Sequence, residues 1–231
     1  MTLGPEELKR LVGRTAADEV RDGQVVGLGT GSTAVYAIAR LGQRIKEGLS
    51  IVGIPTSLAT QQQAKEAGIP LATLHDYDRV DLTIDGADEV DPHLDLIKGL
   101  GGALLREKIV ASVTDTLVII VDERKIVERL GTRTPLPVEV VDFGKRQAVE
   151  ALRKLGCTPA LRTRPGGIPL RTDSDNVVID CMFPSGIDDP ASLEARIDLI
   201  PSVVENGLFL GMADLVLVGT PTGVTRLTRG G

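Results

Sequence analysis

The sequence predicts an α/β fold with a smaller α+β domain inserted into it. Short continuous apolar runs alternate with helical patterns from the start of the chain to residue 122, and one further apolar run stands close to its end. Between them, proline-rich and shorter segments break this alternation. Continuous apolar strands separated by helices are typical of a parallel sheet that is buried on both faces. We therefore expect a mostly parallel sheet with helices on both faces, in a Rossmann-like arrangement.

The first 122 residues supply most elements of the larger domain. Pro5 occupies a position that helices tolerate in their first turn, and Leu8, Leu11, Val12 and Val20 fall near one face, which predicts a helix from residue 5. Strands are predicted at 25–29, 51–55, 70–74, 80–85 and 116–122, and helices over about 33–47, from 57 and over 102–113.

The character of the sequence changes near residue 131. A segment with two prolines is followed by a helical pattern over 144–156, two strand patterns, a second helical pattern and an extended run. The order strand–helix–strand–strand–helix–strand predicts a small split βαβ, ferredoxin-like unit. The run "ADLVLVGT" at 213–220 resembles a buried strand that rejoins the first sheet. The predicted domains are 1–130 with 207–231, and 131–206.

Composition excludes several classes of function. The formal charge of −6, the absence of tryptophan and the 2% aromatic content argue against a nucleic-acid binder. No apolar run approaches the roughly 18 residues of a membrane span, and the N-terminus does not resemble a signal peptide. Cys157 and Cys181 provide neither a disulfide framework nor, with His75 and His93, the spacing of a metal site. We expect the protein to be located in a reducing cytoplasm and to bind no metal.

The segment "GLGTGSTA" (27–34) joins a predicted strand to a predicted helix. Its glycines, Gly27, Gly29 and Gly31, permit a tight turn, and Ser32 or Thr33 can cap the helix, whose free N–H groups suit a phosphate. A glycine-rich connection with a serine cap explains the segment equally well. The dinucleotide and Walker patterns fit less well, because they place glycine or Gly-Lys where this chain has other residues. Ser57 is predicted to cap the next helix.

The segment 81–111 contains a group of charged residues around a second glycine loop. Asp85 ends a predicted strand, Asp88 follows one turn later, Lys98 precedes the loop "GLGG", and Glu107 is expected about two turns into the next helix. Ligands of open α/β sheets collect beyond the carboxyl ends of strands. A carboxylate pair, a cation and a separate carboxylate there can move protons along a polyol phosphate. Each residue alone is more often structural, and only their joint placement favours a site.

The remaining acids and histidines of this region are interpreted as structural. Glu89 and Asp91 are expected to be solvated turn residues, because clustered acids usually face water. His93 is assigned to a loop, and His75 to a helix or the end of a strand.

The motifs "GLGTGSTA", "DGADEVD", "IKGLGGALLREKIVA" and "PLPVEV", in this order and spacing, resemble the type A ribose-5-phosphate isomerase family over essentially the whole chain. The resemblance implies an aldose–ketose isomerase of the pentose phosphate pathway. Such an enzyme interconverts ribose 5-phosphate and ribulose 5-phosphate through an enediol without a metal or organic cofactor. It also implies a homodimer or a dimer of dimers.

The resemblance assigns roles to individual positions. Glu107 corresponds to the base that moves the proton between C1 and C2, and Asp85 to the residue that assists ring opening. Lys98 would stabilise the enediolate, and Asp88 would orient substrate oxygens or Lys98. The expected substrate-binding residues are Thr30, Gly31, Ser32, Thr33, Lys9, Lys125, Gly99 and Gly101. Leu100 departs from the family, which often has a small residue there, and we expect an ordinary backbone at this position.

Three alternatives are weaker. A sugar-phosphate sensor that regulates transcription would need a DNA-reading module, and a single helix before the first strand is too little for one. A coenzyme A transferase would use its glutamate as a nucleophile, whereas Glu107 is expected never to become covalent. An NAD oxidoreductase is least compatible with the glycine spacing.

Overall fold

The computed structural model describes residues 4–229. Within this range the chain divides into two compact units. The first comprises residues up to 87, then 106–126 and the segment from 212, and the second comprises 88–105 and 127–211. By contact, residues 88–105 group with the second unit, although the sequence places them in the larger domain. The domain boundaries predicted from the sequence stay a prediction.

The helices and strands alternate along most of the chain. The α-helices are α1 Pro5–Glu19, α2 Ala34–Lys46, α3 Leu58–Glu66, α4 Leu104–Ser112, α5 Lys145–Arg153 and α6 Pro190–Asp198. The strands are β1 Val25–Leu28, β2 Val52–Pro55, β3 Leu82–Gly86, β4 Glu89–Val90, β5 Leu96–Ile97, β6 Leu117–Asp122, β7 Leu136–Val140, β8 Thr158–Leu161, β9 Val177–Met182, β10 Val203–Asn206, β11 Leu208–Phe209, β12 Leu215–Thr220 and β13 Gly223–Thr228. Short 3-10 turns lie at Glu123–Lys125 and Asp142–Gly144.

The first unit is built on a six-stranded sheet. Its order is β13-β12-β6-β3-β1-β2, and every neighbouring pair is parallel except β12 with β13. The return of β12 to this sheet confirms the prediction for 213–220. Every residue of β6 is buried, which explains its continuous apolar sequence. The chain passes from β1 to β2 on one side and later places β3 on the other side of β1, so the strand order reverses between β1 and β3.

Helix α1 packs on this sheet through one apolar face. Pro5 occupies its first turn, and Leu8, Val12, Ala16 and Ala17 are buried. This spacing of three to four residues brings the side chains onto one stripe. Val12, Ala16 and Ala17 join the core formed by the sheet and α2, which also contains Val26, Leu28, Ile38, Leu41, Ile84, Val118, Ile120 and Leu217.

The second unit contains a four-stranded antiparallel sheet with two helices. The elements follow the chain order β7, α5, β8, β9, α6 and β10, and the strand order is β10-β7-β9-β8. This arrangement is the split βαβ, ferredoxin-like unit that the sequence predicts. Its core includes Leu136, Val138, Leu152, Val177, Ile179, Leu193 and Ile197.

Three parts of the fold differ from the sequence prediction. The segment 70–74 forms no strand, and only Leu71 makes an isolated bridge to Gly53. The sequence missed β13, which pairs with β12 over six residues. It also missed the small sheet of order β11-β5-β4, whose strands have two residues each. Two-residue strands are too short to produce a periodic signal.

No helix within the described range 4–229 is long and apolar enough to cross a bilayer.

Candidate active site

The carboxyl ends of four parallel strands carry polar residues. Thr30 follows β1, Thr56 follows β2, Asp85 is the second-last residue of β3, and Asp122 ends β6. Parallel neighbours end at the same edge of a sheet, and the reversal between β1 and β3 lies at this edge. Ligands of open α/β sheets bind at such a point.

Glycines let β1 and the turn after it approach β3 closely. A Cβ atom at Gly27 would overlap the side chain of Thr83, and one at Gly29 would overlap the carboxylate of Asp85. Gly31 has φ +119°, a conformation that other residues rarely adopt, and open space surrounds the position of its missing Cβ. The turn is therefore close-packed on its inner side and open at Gly31.

The start of α2 keeps its backbone donors available. In the part of the chain that the structure describes, the amides of Ser32, Thr33 and Ala34 have no hydrogen-bond acceptor. Thr33 occupies the N-cap position but its side chain makes no capping bond, so the predicted cap is not formed. Ser32 is exposed. Free N–H groups at the N-terminus of a 13-residue helix can bind an anion such as a phosphate.

Asp85 is held in place by backbone amides. Its side chain is 1% exposed, and its Oδ1 accepts hydrogen bonds from Thr30 N at 3.1 Å and from Gly86 N at 2.7 Å. These bonds fix a charged or hydrogen-bonding group at the end of β3, directly beside the glycine turn.

Glu107 lies in the first turn of α4, and not two turns along the helix as predicted from the sequence. The helix begins at Leu104 because Gly102, at φ +79°, still belongs to the preceding turn. The far end of α4 lies at the start of β3, where Val80 N donates to Val113 O at 2.9 Å. The first turn of α4 therefore lies at the carboxyl edge of the sheet. Glu107 is 4% exposed there, and the helix N-terminus favours its negative charge.

Lys9 is linked to α2 through the side chains of Glu6 and Tyr36. Its ammonium group lies 2.8 Å from Glu6 Oε1, and the hydroxyl of Tyr36, in the first turns of α2, donates to Glu6 Oε2 at 2.7 Å. Hydrogen bonds from Lys9 and Tyr36 lower the pKa of Glu6. Lys9 is thus a cation tethered beside the helix that carries the free amides.

Lys125 lies in the 3-10 turn that follows β6. Its neighbour Arg124 donates to both oxygens of Asp122, from Nε at 2.8 Å and from Nη2 at 3.0 Å. The hydrogen bonds from Arg124, together with the charge of Lys125, lower the pKa of Asp122. The sequence did not single out Arg124 or Asp122. Across residues 4–229 no group of three or more His, Cys, Asp or Glu residues is arranged to hold a metal ion.

In the second unit, Asp88 anchors the second glycine loop. Its Oδ2 accepts a hydrogen bond from Leu100 N at 2.9 Å. Gly99 and Gly102 have φ angles of +105° and +79°, and Gly102 N donates to Gly99 O at 3.0 Å to close a tight turn. Leu100 has no positive φ, which confirms the ordinary backbone expected there. Gly101 is exposed, and a Cβ at this position would meet nothing.

Lys98 is buried just before this loop. Lys98 is 3% exposed, and its ammonium nitrogen lies 5.3 Å from the centre of the Phe209 ring. An ammonium group at this distance is attracted by the face of an aromatic ring. The backbone N–H of Lys98 donates to Gly207 O at 2.9 Å. The cation is therefore positioned by β5, which directly precedes it, and by β11, which carries Phe209.

Arg162 also holds this loop, and the sequence gave no sign of it. Its Nη1 donates to the carbonyl oxygens of Gly99 and Leu100, both at 2.9 Å. Asp180 fixes the guanidinium group through a bidentate contact, with the Nε–Oδ2 bond at 2.9 Å. The contact spans more than 60 residues along the chain, so it depends on the tertiary fold.

The expectation that Glu89 and Asp91 are solvated is wrong. Glu89 is fully buried, and its two oxygens accept hydrogen bonds from the amides of Gly131, Arg133 and Thr134 at 2.6–2.7 Å. Asp91 is 8% exposed and accepts bonds from His93 N and Asp95 N, both at 2.9 Å. Both acids satisfy loop amides that would otherwise be buried without a partner. Burial raises the pKa of Asp91.

The predicted site residues are shared between the two units. The first unit contains Glu107, Asp85, Thr30, Gly31, Ser32, Thr33, Lys9 and Lys125, and the second contains Asp88, Lys98, Gly99 and Gly101.

Comparison with known proteins identifies relatives over almost the whole chain. The sequence profile of ribose 5-phosphate isomerase A (phosphoriboisomerase A) matches residues 52–223. The ribose-5-phosphate isomerase A of Gloeobacter violaceus is 54% identical over 222 residues, which cover 96% of each chain. That of Thermomicrobium roseum is 50% identical over 228 residues, which cover 98% of this chain and 96% of the relative.

Solved structures agree with the sequence relatives. The structure of ribose 5-phosphate isomerase A from Methanocaldococcus jannaschii matches with a TM-score of 0.93 and 45% identity, covering 97% of this chain and all of that one. A D-ribose-5-phosphate isomerase in complex with phospho-erythronic acid matches with a TM-score of 0.95 and 43% identity, covering 98% of this chain and all of that one. The chain therefore belongs to the ribose 5-phosphate isomerase A family.

Proposed function

We propose that this protein interconverts D-ribose 5-phosphate and D-ribulose 5-phosphate, as an aldose–ketose isomerase of the pentose phosphate pathway. The observation that carries the proposal is the placement of two buried carboxylates, Asp85 and Glu107, at the same edge of one sheet. The free amides that open α2 follow a strand that ends at this edge. A phosphorylated sugar needs an anion-binding group at one end and proton-transfer groups at the other, and this edge provides both.

The phosphate is bound at the start of α2. The N–H groups of Ser32, Thr33 and Ala34 donate to its oxygens, and the positive end of the helix dipole favours its charge. Lys9 and Lys125 add positive charge on the same unit. This local concentration of donors is needed because the net charge of −6 repels an anion at long range.

Proton transfer begins with ring opening. Asp85 accepts the proton of the anomeric hydroxyl group and passes it to the ring oxygen as the bond between that oxygen and C1 breaks. The carboxylate of Glu107 then removes the proton from C2 of the open aldose, and the electron pair moves onto O1 to give the enediolate. A proton passes from O2 to O1 of the enediolate, protonated Glu107 returns its proton to C1, and O2 becomes the carbonyl oxygen of the ketose. General acid–base steps of this kind contribute about 10²- to 10⁴-fold each.

Lys98 is proposed to have the role that the family resemblance implies, and Asp88 to hold the loop that follows Lys98. Lys98 stabilises the negative charge of the enediolate, which an ammonium group can do without a metal ion. Asp88, by binding Leu100 N, holds the loop that follows Lys98. The related isomerase that binds phospho-erythronic acid supports a phosphorylated sugar-like ligand, because a planar carboxylate resembles a planar enediolate.

The function is tested by mixing purified, chelator-treated protein with ribose 5-phosphate and following the formation of the ketose. We expect turnover by the wild type, and a loss of at least about 10²-fold in Glu107→Gln, because the amide cannot accept the proton. The variant keeps the size of the buried side chain and should unfold at the wild-type temperature. Wild-type activity in the folded variant would remove Glu107 from the mechanism.

We also propose an oligomeric state and a cellular compartment for the protein. A homodimer or a dimer of dimers is expected from the family resemblance, and sedimentation at several protein concentrations would distinguish either from a monomer. A reducing cytoplasm fits Cys157 and Cys181, which are both buried free thiols.

A further inference from the structure

Four hydroxyl side chains meet beneath the glycine turn of the first unit. Thr30 Oγ1 lies 2.8 Å from Thr56 Oγ1, 2.8 Å from Ser57 Oγ and 3.0 Å from Thr60 Oγ1. Thr56, Ser57 and Thr60, at the end of β2 and the start of α3, are at most 4% exposed. We call these three residues the hydroxyl cluster.

The hydroxyl cluster is bonded to the backbone that leads into the turn. Thr56 Oγ1 donates to Leu28 O, and Thr60 Oγ1 donates to Gly29 O, both at 3.0 Å. Thr56 N also donates to Leu28 O at 3.0 Å. Ser57 Oγ accepts the N–H of Thr60 at 3.0 Å as the cap of α3. Two successive carbonyl groups of the chain entering the turn are therefore bonded, one to Thr56 after β2 and the other to Thr60 in α3.

Counting protons shows that the Thr30 hydroxyl faces inward. Each hydroxyl group has one proton, and those of Thr56 and Thr60 have carbonyl acceptors. Thr30 donates its own proton to Ser57 Oγ, and either oxygen can be the donor in its contacts with Thr56 and Thr60. The Thr30 side chain thus has no proton to offer a phosphate, although the sequence predicts Thr30 as a substrate-binding residue.

The backbone of Thr30 has a second fixed contact. Its N–H donates to Asp85 Oδ1 at 3.1 Å, so residue 30 is bonded on one side to the hydroxyl cluster and on the other to β3. The next residues are Gly31, with open space around it, and then the free amides of α2. The hydroxyl cluster therefore supplies the last buried hydrogen bonds along the chain before Gly31 and the free amides of α2.

We propose that Thr56, Ser57 and Thr60 are positioning residues for phosphate binding, which act through Leu28, Gly29 and Thr30 on the amides that open α2. This inference rests on the proposed function, because it names residues that shape the same site. Buried hydroxyl groups are retained only where they are hydrogen-bonded, and apolar residues of equal size would fill the same space. Concentrating three of them on one turn keeps that turn in a single conformation.

The test compares two substitutions of one residue. Thr60→Val keeps the shape of the side chain and removes the donor to Gly29 O, whereas Thr60→Ser keeps the donor. We expect Thr60→Val to raise both the KM for ribose 5-phosphate and the dissociation constant for inorganic phosphate by about 3- to 10-fold, the usual effect of losing one hydrogen bond. The value of kcat should change by less than about 2-fold, and Thr60→Ser should restore KM.

Thr83→Val is the matched control. Thr83 is equally buried in the same sheet, and its hydroxyl pairs with Thr114 Oγ1 at 2.7 Å, away from the hydroxyl cluster. It should leave KM and phosphate binding unchanged. The inference is overturned if folded Thr60→Val binds phosphate and substrate as the wild type does, or if Thr83→Val weakens both equally. Phosphate titration needs no turnover, so an inactive wild type would refute the proposed function and still leave the inference measurable.

Discussion

The acids between residues 85 and 91 show how one residue type serves several purposes in the same segment. Asp85 accepts two amides at the end of β3, Asp88 accepts the amide of Leu100, and Glu89 accepts three amides of the segment 131–134. Glu89 and Asp91 are structural carboxylates, while Asp85 is placed beside a turn that can bind an anion. The difference lies in what surrounds each carboxylate and not in its local sequence.

Replacing Asp85 by asparagine should reduce turnover less than replacing Glu107 by glutamine. The amide oxygen of asparagine can still accept the bonds from Thr30 N and Gly86 N, so the turn should keep its geometry. The variant loses the proton acceptor for ring opening, which also occurs without a catalyst. We expect kcat to fall by about 10-fold, within the lower part of the range for general acid–base groups.

The comparison needs kcat values for both variants under the same conditions, with thermal unfolding as the control for folding. A larger loss in Asp85→Asn than in Glu107→Gln would contradict the division of roles between the two carboxylates.

Lys98→Ala should lower kcat more than it raises KM, because Lys98 stabilises a charge that exists only in the enediolate. We expect a loss of about 10²-fold in kcat, as found when a single group that stabilises an oxyanion is removed. Steady-state kinetics over a range of ribose 5-phosphate concentrations separates the two parameters. A change confined to KM would make Lys98 a binding residue.

At the scale of elements, the glycine loop 99–102 depends on a residue far away in the chain. Arg162 holds the carbonyl groups of Gly99 and Leu100, and Asp180 fixes its guanidinium group. Arg162→Lys cannot make this set of contacts, because an ammonium group lacks the planar fork of a guanidinium. We therefore expect kcat/KM to fall by about 10-fold in Arg162→Lys, the effect of about 1.4 kcal/mol.

Arg171→Lys is the control for this prediction. Arg171 lies in the same unit and pairs with Asp142 at a more exposed position. Substitution there should leave kcat/KM unchanged. Equal losses in the two variants would indicate a general effect of arginine removal and not a specific contact with the loop.

The elements that the sequence predicts correctly are those with a strong local pattern. β6 is a continuous apolar run, α1 has a regular apolar stripe, and both were found where expected. The run at 70–74 is shorter, begins with a proline and contains a threonine, and it forms only one bridge. Arg162 and the hydroxyl cluster could not be found from the sequence, since their contacts depend on strand register and helix orientation. The motif residues Asp85 and Glu107 could be found, because they lie around a glycine loop in motifs that resemble a known family.

At the scale of the whole molecule, one buried carboxyl group should make stability depend on pH. Glu139 in β7 is 1% exposed, and its Oε1 accepts bonds from Thr172 and Asn176 at 2.8 Å and 2.9 Å, while its Oε2 has no hydrogen-bond partner among residues 4–229. Burial raises the pKa of Glu139, and the nearby carboxylates of Glu205 and Asp173 add to this effect. The folded state therefore binds a proton more tightly than the unfolded state does.

The sign of the pH dependence follows from linkage. A carboxyl group with a raised pKa in the folded state contributes most stability below its pKa in the unfolded state, which is about 4.3 for glutamate. It loses that contribution as the pH rises through its pKa in the folded state. Glu139→Gln should remove this loss. Urea unfolding at acidic and at neutral pH should show that the variant gains stability relative to the wild type as the pH rises. A difference that stays constant with pH would show that Glu139 does not titrate in this way.

The most direct test of the central claim is isomerisation of ribose 5-phosphate in D₂O. A single carboxylate that carries the proton through an enediol exchanges part of it with solvent. We predict deuterium at C1 of the ribulose 5-phosphate formed by the wild type, detected by NMR, and almost no deuterated product with Glu107→Gln. Product formed at the wild-type rate with no deuterium at C1 would indicate a hydride shift and would contradict the role of Glu107.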